Sequence, residues 1–209
     1  MNSPISQFFS SGLFRWLAFG VILLVLILWP TGAYNGLVEL QEQTDSQWGQ
    51  VKNAYQRRMD LIPNLVSTVK NYADFEKSTL ENVVSARSRV GSIQVDEKML
   101  NDPQKMKAFE EAQGQFTSAL SRLMVVAENY PNLKADQQFL NLQSQLEGSE
   151  NRIAVERNRF NEVVKLYNTK VRTFPGNILA GIFGFEKKAY FEGNANNETA
   201  PNVDKLFDK

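Results

Sequence analysis

Cysteine and histidine are both absent from the 209 residues. Their absence removes a disulfide framework, a thiolate nucleophile, a Cys/His zinc site and a Ser-His-Asp relay together. Lys and Arg number 23 and Asp and Glu 23, so no excess of one sign draws the chain to nucleic acid. Glycine and proline are few, at 12 and 7, while 43% of residues are hydrophobic. That balance favours long helices over a turn-rich β fold. No Gly-x-x-x-x-Gly-Lys occurs, which excludes that type of phosphate loop.

What is present begins with an apolar run. Leu17–Trp29 is apolar apart from Gly20, and no charge occurs from Trp16 to Val38. At about 1.5 Å per residue the uncharged stretch reaches roughly 35 Å, against a hydrocarbon core of about 30 Å. Trp16 and Trp29 bracket it where interfacial indoles sit. The expectation is a transmembrane anchor over 16–34 behind a short flank, 1–15. The alternative is a cleaved signal peptide, because the fully apolar core is short and Thr31-Gly32-Ala33 offers small residues at a cleavage point. Arg15 lies on one side, whereas Glu39, Glu42 and Asp45 precede Lys52 on the other. The positive-inside bias therefore predicts a cytoplasmic N-terminus and an exported main domain. Gly32-x-x-x-Gly36 matches a helix-dimer pattern in lipid, although beside Pro30 it also suits a juxtamembrane bend.

After the anchor, Pro63, Pro103, Pro131 and Pro175 separate long stretches with helical periodicity. Leu37, Leu40, Thr44, Trp48, Val51, Tyr55, Met59 and Ile62 step by three or four. Val66, Val69, Ala73, Leu80, Val83 and Val90 continue the stripe, interrupted by Glu76 and Arg87. Further stripes run from Met106 through Gln113 to Tyr130, and from Phe139 through Ser149 to Val171. The 3–4 rhythm suits near-parallel helix packing, and no stretch alternates as a half-buried strand would. The pattern predicts an all-α fold: an elongated up-and-down bundle of three to four long helices over 35–192. Pro63 cannot donate to Met59 and disfavours a helical Ile62, so it could end a helix. The stripe nevertheless stays in phase across it, which favours one long kinked helix. Asp102-Pro103 marks a helix start, and Gly91–Leu100 reads as a loop. Pro131-Asn132 leaves so short a connection that the helices on either side should be antiparallel neighbours. Residues 193–209 are polar, small and aperiodic and read as a disordered tail, with Leu206-Phe207 as an alternative docking motif.

Several segments carry a family resemblance. Tyr34-Asn35-x-Leu37-Val38 and Trp48-x-x-Val51 are followed by Gln56-Arg57-Arg58-x-Asp60-Leu61-Ile62-Pro63-Asn64-Leu65-Val66. Farther on come Glu128-Asn129-Tyr130-Pro131-x-Leu133-Lys134-Ala135 and Leu146-Glu147-Gly148-Ser149-Glu150-Asn151-Arg152-Ile153-Ala154. Phe174-Pro175, Phe183-Gly184-Phe185 and Tyr190-Phe191-Glu192 close the series. In order and extent, Tyr34 to Glu192 resembles the LemA family. The resemblance implies a bacterial protein with an N-terminal membrane helix and a helical-bundle domain, in a family some of whose members look linked to membrane proteases or organelle-like membrane structures. It carries over no catalytic residue. Pro30-Thr31-Gly32 departs from the family pattern and weakens the case for one rigid helix from anchor into bundle.

Metal chemistry has little to work with. The Glu plus Glu-x-x-His pattern of di-iron bundles cannot be built without histidine. Glu110-Glu111 and Glu147/Glu150 read as solvated faces, so neither cofactor nor metal is expected. On a helical wheel Arg57, Asp60 and Asn64 fall opposite the core stripe, and Arg58 lies at its edge. Three readings stay open: an ordinary surface ion pair, a buried network completed by Glu150, Asn151 and Arg152, or a partner-binding surface. The aromatic residues Phe174, Phe183, Phe185, Tyr190 and Phe191 either cap the bundle or touch lipid headgroups. The functional expectation is a single-pass, non-enzymatic adaptor or scaffold of the bacterial inner membrane, bound to another envelope protein or to itself. The alternative is a membrane-organising protein whose helical and aromatic surface engages lipid directly. Neither nucleic acid nor a small-molecule substrate is expected.

Overall fold

The computed structural model describes residues 12–72 and 75–192, and among them every regular element is a helix. Most of the 1–15 flank, the stripe position Ala73 and the whole 193–209 tail lie outside the described residues. In chain order the helices are α1 (Gly12–Lys70), α2 (Lys77–Ser92), a 3₁₀ turn (Glu97–Asn101), α3 (Pro103–Ala127), α4 (Pro131–Lys134), α5 (Gln137–Arg172) and α6 (Gly176–Phe183).

Two prolines lie inside α1, and neither ends it. The expected weakness at Pro30-Thr31-Gly32 is corrected: the helix continues unbroken, and the Thr31 hydroxyl donates to the Leu28 carbonyl at 2.8 Å beside the proline. At Pro63 the missing N–H orphans the Met59 carbonyl. Arg87 Nε, reaching over from α2, donates to that oxygen at 3.2 Å. The arginine that interrupts the apolar stripe thus repairs the backbone bond that the proline removes.

The second proline-free stretch is not one helix. α1 ends as Tyr72 N–H bonds the Val69 carbonyl at 3.0 Å, and α2 begins only after Glu76. The Glu76 carboxylate accepts from the Ser78 and Thr79 hydroxyls, which hold its pKa below the ordinary value. Gly91 and Ser92 complete α2, and Glu97–Asn101 forms a 3₁₀ turn capped by Asp96, so the loop expected over Gly91–Leu100 is shorter than its sequence suggests. Asp102 caps α3 as expected, accepting from the Gln104 and Lys105 N–H groups, with Pro103 in the first turn. Asp136 does the same for α5, accepting from Gln138 N–H at 2.8 Å and Phe139 N–H at 3.0 Å.

Two compact units result. One holds Thr44–Lys165 with the segment from Lys188. Its first apolar cluster joins Ile62, Leu65 and Val69 of α1 to Leu80–Val90 of α2, Phe116–Ala127 of α3 and Phe139–Leu146 of α5. Its second joins Trp48, Val51 and Tyr55 of α1 to Met106 and Phe109 of α3, Ile153, Phe160 and Val164 of α5, and Phe191. Residue numbers rise together along α1 and α3 and fall along α5, and Gly91 of α2 approaches Met59. The arrangement is an all-α, up-and-down bundle.

The other unit holds the N-terminal part of α1, through Gln43, with Leu166–Lys187. Leu37 is fully buried against Tyr167, Val171, Leu179 and Ala180. A Cβ on Gly176 would come within 2.7 Å of the Lys170 carbonyl, so only glycine permits α6 to start so close to the end of α5. Gly184 closes α6 at φ 75°, a left-handed conformation that favours glycine. The chain then turns back and sets Phe185 against Tyr34, with ring centroids 5.7 Å apart.

Candidate functional site

Between the two apolar clusters of the larger unit lies a polar layer. Arg58 is only 1% exposed, one turn beyond Tyr55 on α1. Its guanidinium donates to Glu150 of α5, to the Gln113 side-chain carbonyl of α3 and, at 2.9 Å, to the Thr117 hydroxyl. It also faces the rings of Phe116 at 4.9 Å and Tyr55 at 5.5 Å. Burial pushes the Tyr55 phenol pKa up. Arg58 Nε and Gln113 Nε2 have no hydrogen-bond partner among the described residues. One cation therefore ties three helices at one level.

Arg57 points elsewhere. It is exposed and lines a cleft of about 450 Å³ with Gln50, Asn53, Gln145, Gly148 and Arg152. A Cβ at Gly148 would meet nothing within 4 Å, so that part of the cleft is open space. Asp60 is exposed and accepts from Gln56 Nε2 at 2.7 Å rather than from Arg57. Asn64 lines an adjoining groove with Ser67, Gln138 and Asn141, and Gln145 borders both hollows. Asn151 is exposed. Of the seven residues singled out from sequence, Arg58 and Glu150 meet directly, Arg57 and Arg152 share the cleft, and Asp60, Asn64 and Asn151 stand on the surface.

Arg152 pairs with Glu156 and does not join the Arg58 layer. Its Nε lies 2.7 Å from Glu156, a carboxylate 1% exposed that also accepts from Gln47 Nε2 at 2.8 Å and lies 3.4 Å from Arg159. Glu156 falls in phase between Ile153 and Phe160, and Gln113 between Phe109 and Phe116. A polar residue at a core position is the signal by which sequence could have found both.

A third polar set secures the segment after α6. Arg157 lies 2.7 Å from Glu110, donates to the Glu192 carbonyl at 2.8 Å and covers the Phe191 ring at 4.6 Å. Asn161 grips the Phe191 backbone twice, at 2.9 Å each way. Burial raises the Glu110 pKa, opposed by the Glu192 N–H and Arg157. Phe191 is thus a core residue packed on Trp48 and Phe160, while Phe174, Phe183 and Tyr190 remain exposed. The aromatic group read as a unit in sequence is divided in space. Among the described residues no three carboxylates gather around a common point that would hold a metal ion.

The apolar part of α1 is the one helix among the described residues long and apolar enough to cross a membrane, and its side chains are exposed from Trp16 through Leu24 except for partly covered Ala18. The model of the LemA family matches residues 47–204. Magnetosome protein MamQ 2 of Paramagnetospirillum magneticum is 30% identical, over 83% of this chain and 70% of its own length. Magnetosome protein MamQ of Magnetospirillum gryphiswaldense is 28% identical over the same shares. Protein LemA of Metamycoplasma hominis is 25% identical, over 87% of this chain and 77% of its own. The matched stretch contains the Arg58 layer, the arginine cleft and the Phe191 plug, and the chain belongs to the LemA family.

Proposed function

We propose that this protein is a single-pass, non-enzymatic adaptor of the bacterial inner membrane, anchored through 16–34 with its bundle on the exported side. The observation that carries the adaptor reading is the open cleft between α1 and α5. It holds two exposed guanidiniums and several amides, and Arg57 has no ion-pair partner among the described residues. Such a surface suits an acidic, extended segment of another envelope protein, because guanidinium forks take carboxylates two bonds at a time. The partner reads the bundle's side, and the buried layer keeps that side in register.

A photo-crosslinker placed at Asn53 in the full chain, in native membranes, should capture a product that the same group at Ser118 does not. Arg57→Glu should abolish that product. Identical products from both positions would remove the cleft as the binding surface. Protease added to spheroplasts tests the orientation: digestion of the bundle is expected, and full protection until lysis would reverse it. A second reading, a membrane-organising surface that engages lipid, draws on the exposed apolar residues around α6.

A further inference from the structure

We propose that α6 is a second membrane contact, a short apolar helix seated in the headgroup region of the bilayer that α1 crosses. The inference rests on the reading of 16–34 as an anchor. α6 has two apolar faces where a helix in water needs one. Leu179 and Ala180 are buried against Leu37, Tyr167 and Val171. Ile178 and Ile182, one turn apart on the outer side, are 52% and 69% exposed, and Phe174 just before the helix is 80% exposed. Nothing among the described residues covers this outer stripe.

Its position says what does. Tyr34, the last residue of the anchor, packs its ring on Phe183 at a centroid separation of 4.8 Å and on Phe185 at 5.7 Å. Ala33 and Leu40 belong to the same apolar cluster as α6. The outer stripe therefore lies at the level where the exposed apolar surface of α1 gives way to its buried stripe. Tyrosine at that level is the usual marker of the membrane–water boundary. Charge does not oppose this placement: beyond the anchor the exposed ionic side chains of this unit balance, Lys170, Arg172 and Lys187 against Glu39, Glu42 and Glu186. The occupant is therefore the lipid surface itself, whatever its headgroup charge.

The absence of cysteine makes a direct test available. Single-cysteine full chains carrying Leu23→Cys, Ile178→Cys, Ile182→Cys or Ser118→Cys are labelled with an environment-sensitive fluorophore. They are then reconstituted in vesicles of phosphatidylcholine and phosphatidylglycerol containing spin-labelled lipid. Leu23→Cys should be quenched most by the deep spin label. Ile178→Cys and Ile182→Cys should be blue-shifted and quenched most by the shallow one, and Ser118→Cys by neither. Quenching at Leu23→Cys without quenching at either α6 position overturns the proposal and leaves the anchor standing. Disulfide-linked dimers of unlabelled Ile182→Cys, with no shallow quenching, overturn it in favour of a second copy as the cover. No quenching at Leu23→Cys removes the anchor, and this proposal with it.

Discussion

Arg57 and Arg58 are joined by one peptide bond and occupy opposite environments. Arg58 is enclosed by Gln113, Thr117, Glu150 and two aromatic rings, while Arg57 stands in an open cleft with Arg152. The cause is the 100° step of the helix, which carries one residue into the bundle and the next along its flank. Their energetics differ accordingly. A cation taken out of water must find partners or destabilise the fold, whereas an exposed one is free to bind elsewhere. One guanidinium is committed to architecture, and its neighbour stays open to the recognition proposed for the cleft.

The most severe way to sharpen this contrast is to strand the buried cation. Glu150→Ala should cost about 1.5–3 kcal/mol, because Arg58 keeps its charge and loses a counter-ion whose side chain is 38% exposed, so water replaces it only in part. Replacing Arg58, Gln113 and Glu150 together by Met, Leu and Leu should leave the unfolding midpoint equal or higher. Denaturant unfolding of both variants measures the difference. If the single variant is neutral, the layer contributes nothing and the comparison collapses.

Arg87 is a milder case of a cation held by the fold. Arg87→Met should cost about 1–2 kcal/mol, the usual range for losing a charged donor to a partly buried carbonyl. In a Pro63→Ala background the same change should cost less, since that substitution restores the backbone N–H that the Met59 carbonyl lacks. A double-mutant cycle reads the coupling. Simple additivity would show that the arginine does not repair the proline.

Asp136 lies between the two arginines in kind, open to water yet fully engaged by Tyr72 OH and two N–H groups. Bonds from Phe139 N–H and then Tyr72 hold its pKa below the ordinary carboxylate value. A depressed acid stabilises the fold above its unfolded pKa, and that stability is lost as pH falls through the lower folded value. Wild type should therefore lose stability below the ordinary value faster than Asp136→Asn, as seen in melting temperatures across an acid series. The smallest effect belongs to the surface. Asp60→Ala and Arg57→Glu should change stability by no more than about 0.5 kcal/mol. A large loss from either would place that face inside the fold and remove it as the proposed binding surface.

How far the sequence could be read follows from the same contrast. Periodicity found the stripes of α1, α3 and α5, because burial of one face repeats every three or four residues whatever the partner. It missed the break between the end of α1 at Lys70 and the start of α2 at Lys77, which a stripe in phase hides. It also marked Pro30 as a weak point, since helix propensity does not register the bond from the Thr31 hydroxyl to the Leu28 carbonyl beside the proline. Arg57 and Arg58 were distinguishable on a wheel, but Gln113 and Thr117 were not assignable as partners. Which helices meet, and at what level, is a long-range fact. The clue was in plain view at Gln113 and Glu156, polar residues at apolar positions that require a partner to be there at all.

The Phe191 plug gives the bundle an order of events. Trp48 and Phe160 wait for a ring that comes after α6, held by Asn161 and by the Ala189 N–H on the Leu100 carbonyl at 2.6 Å. During synthesis the apolar start of α1 leaves the ribosome well before this ring. Helix pairs close in sequence can associate early, since their loops are short. The aromatic slot stays open to water until Phe191 arrives. The proposed anchor is thus available for insertion before the core is complete, and a chain arrested before Ala189 would lack the seal. Limited proteolysis of nascent chains stopped on either side of Ala189 would show that seal forming.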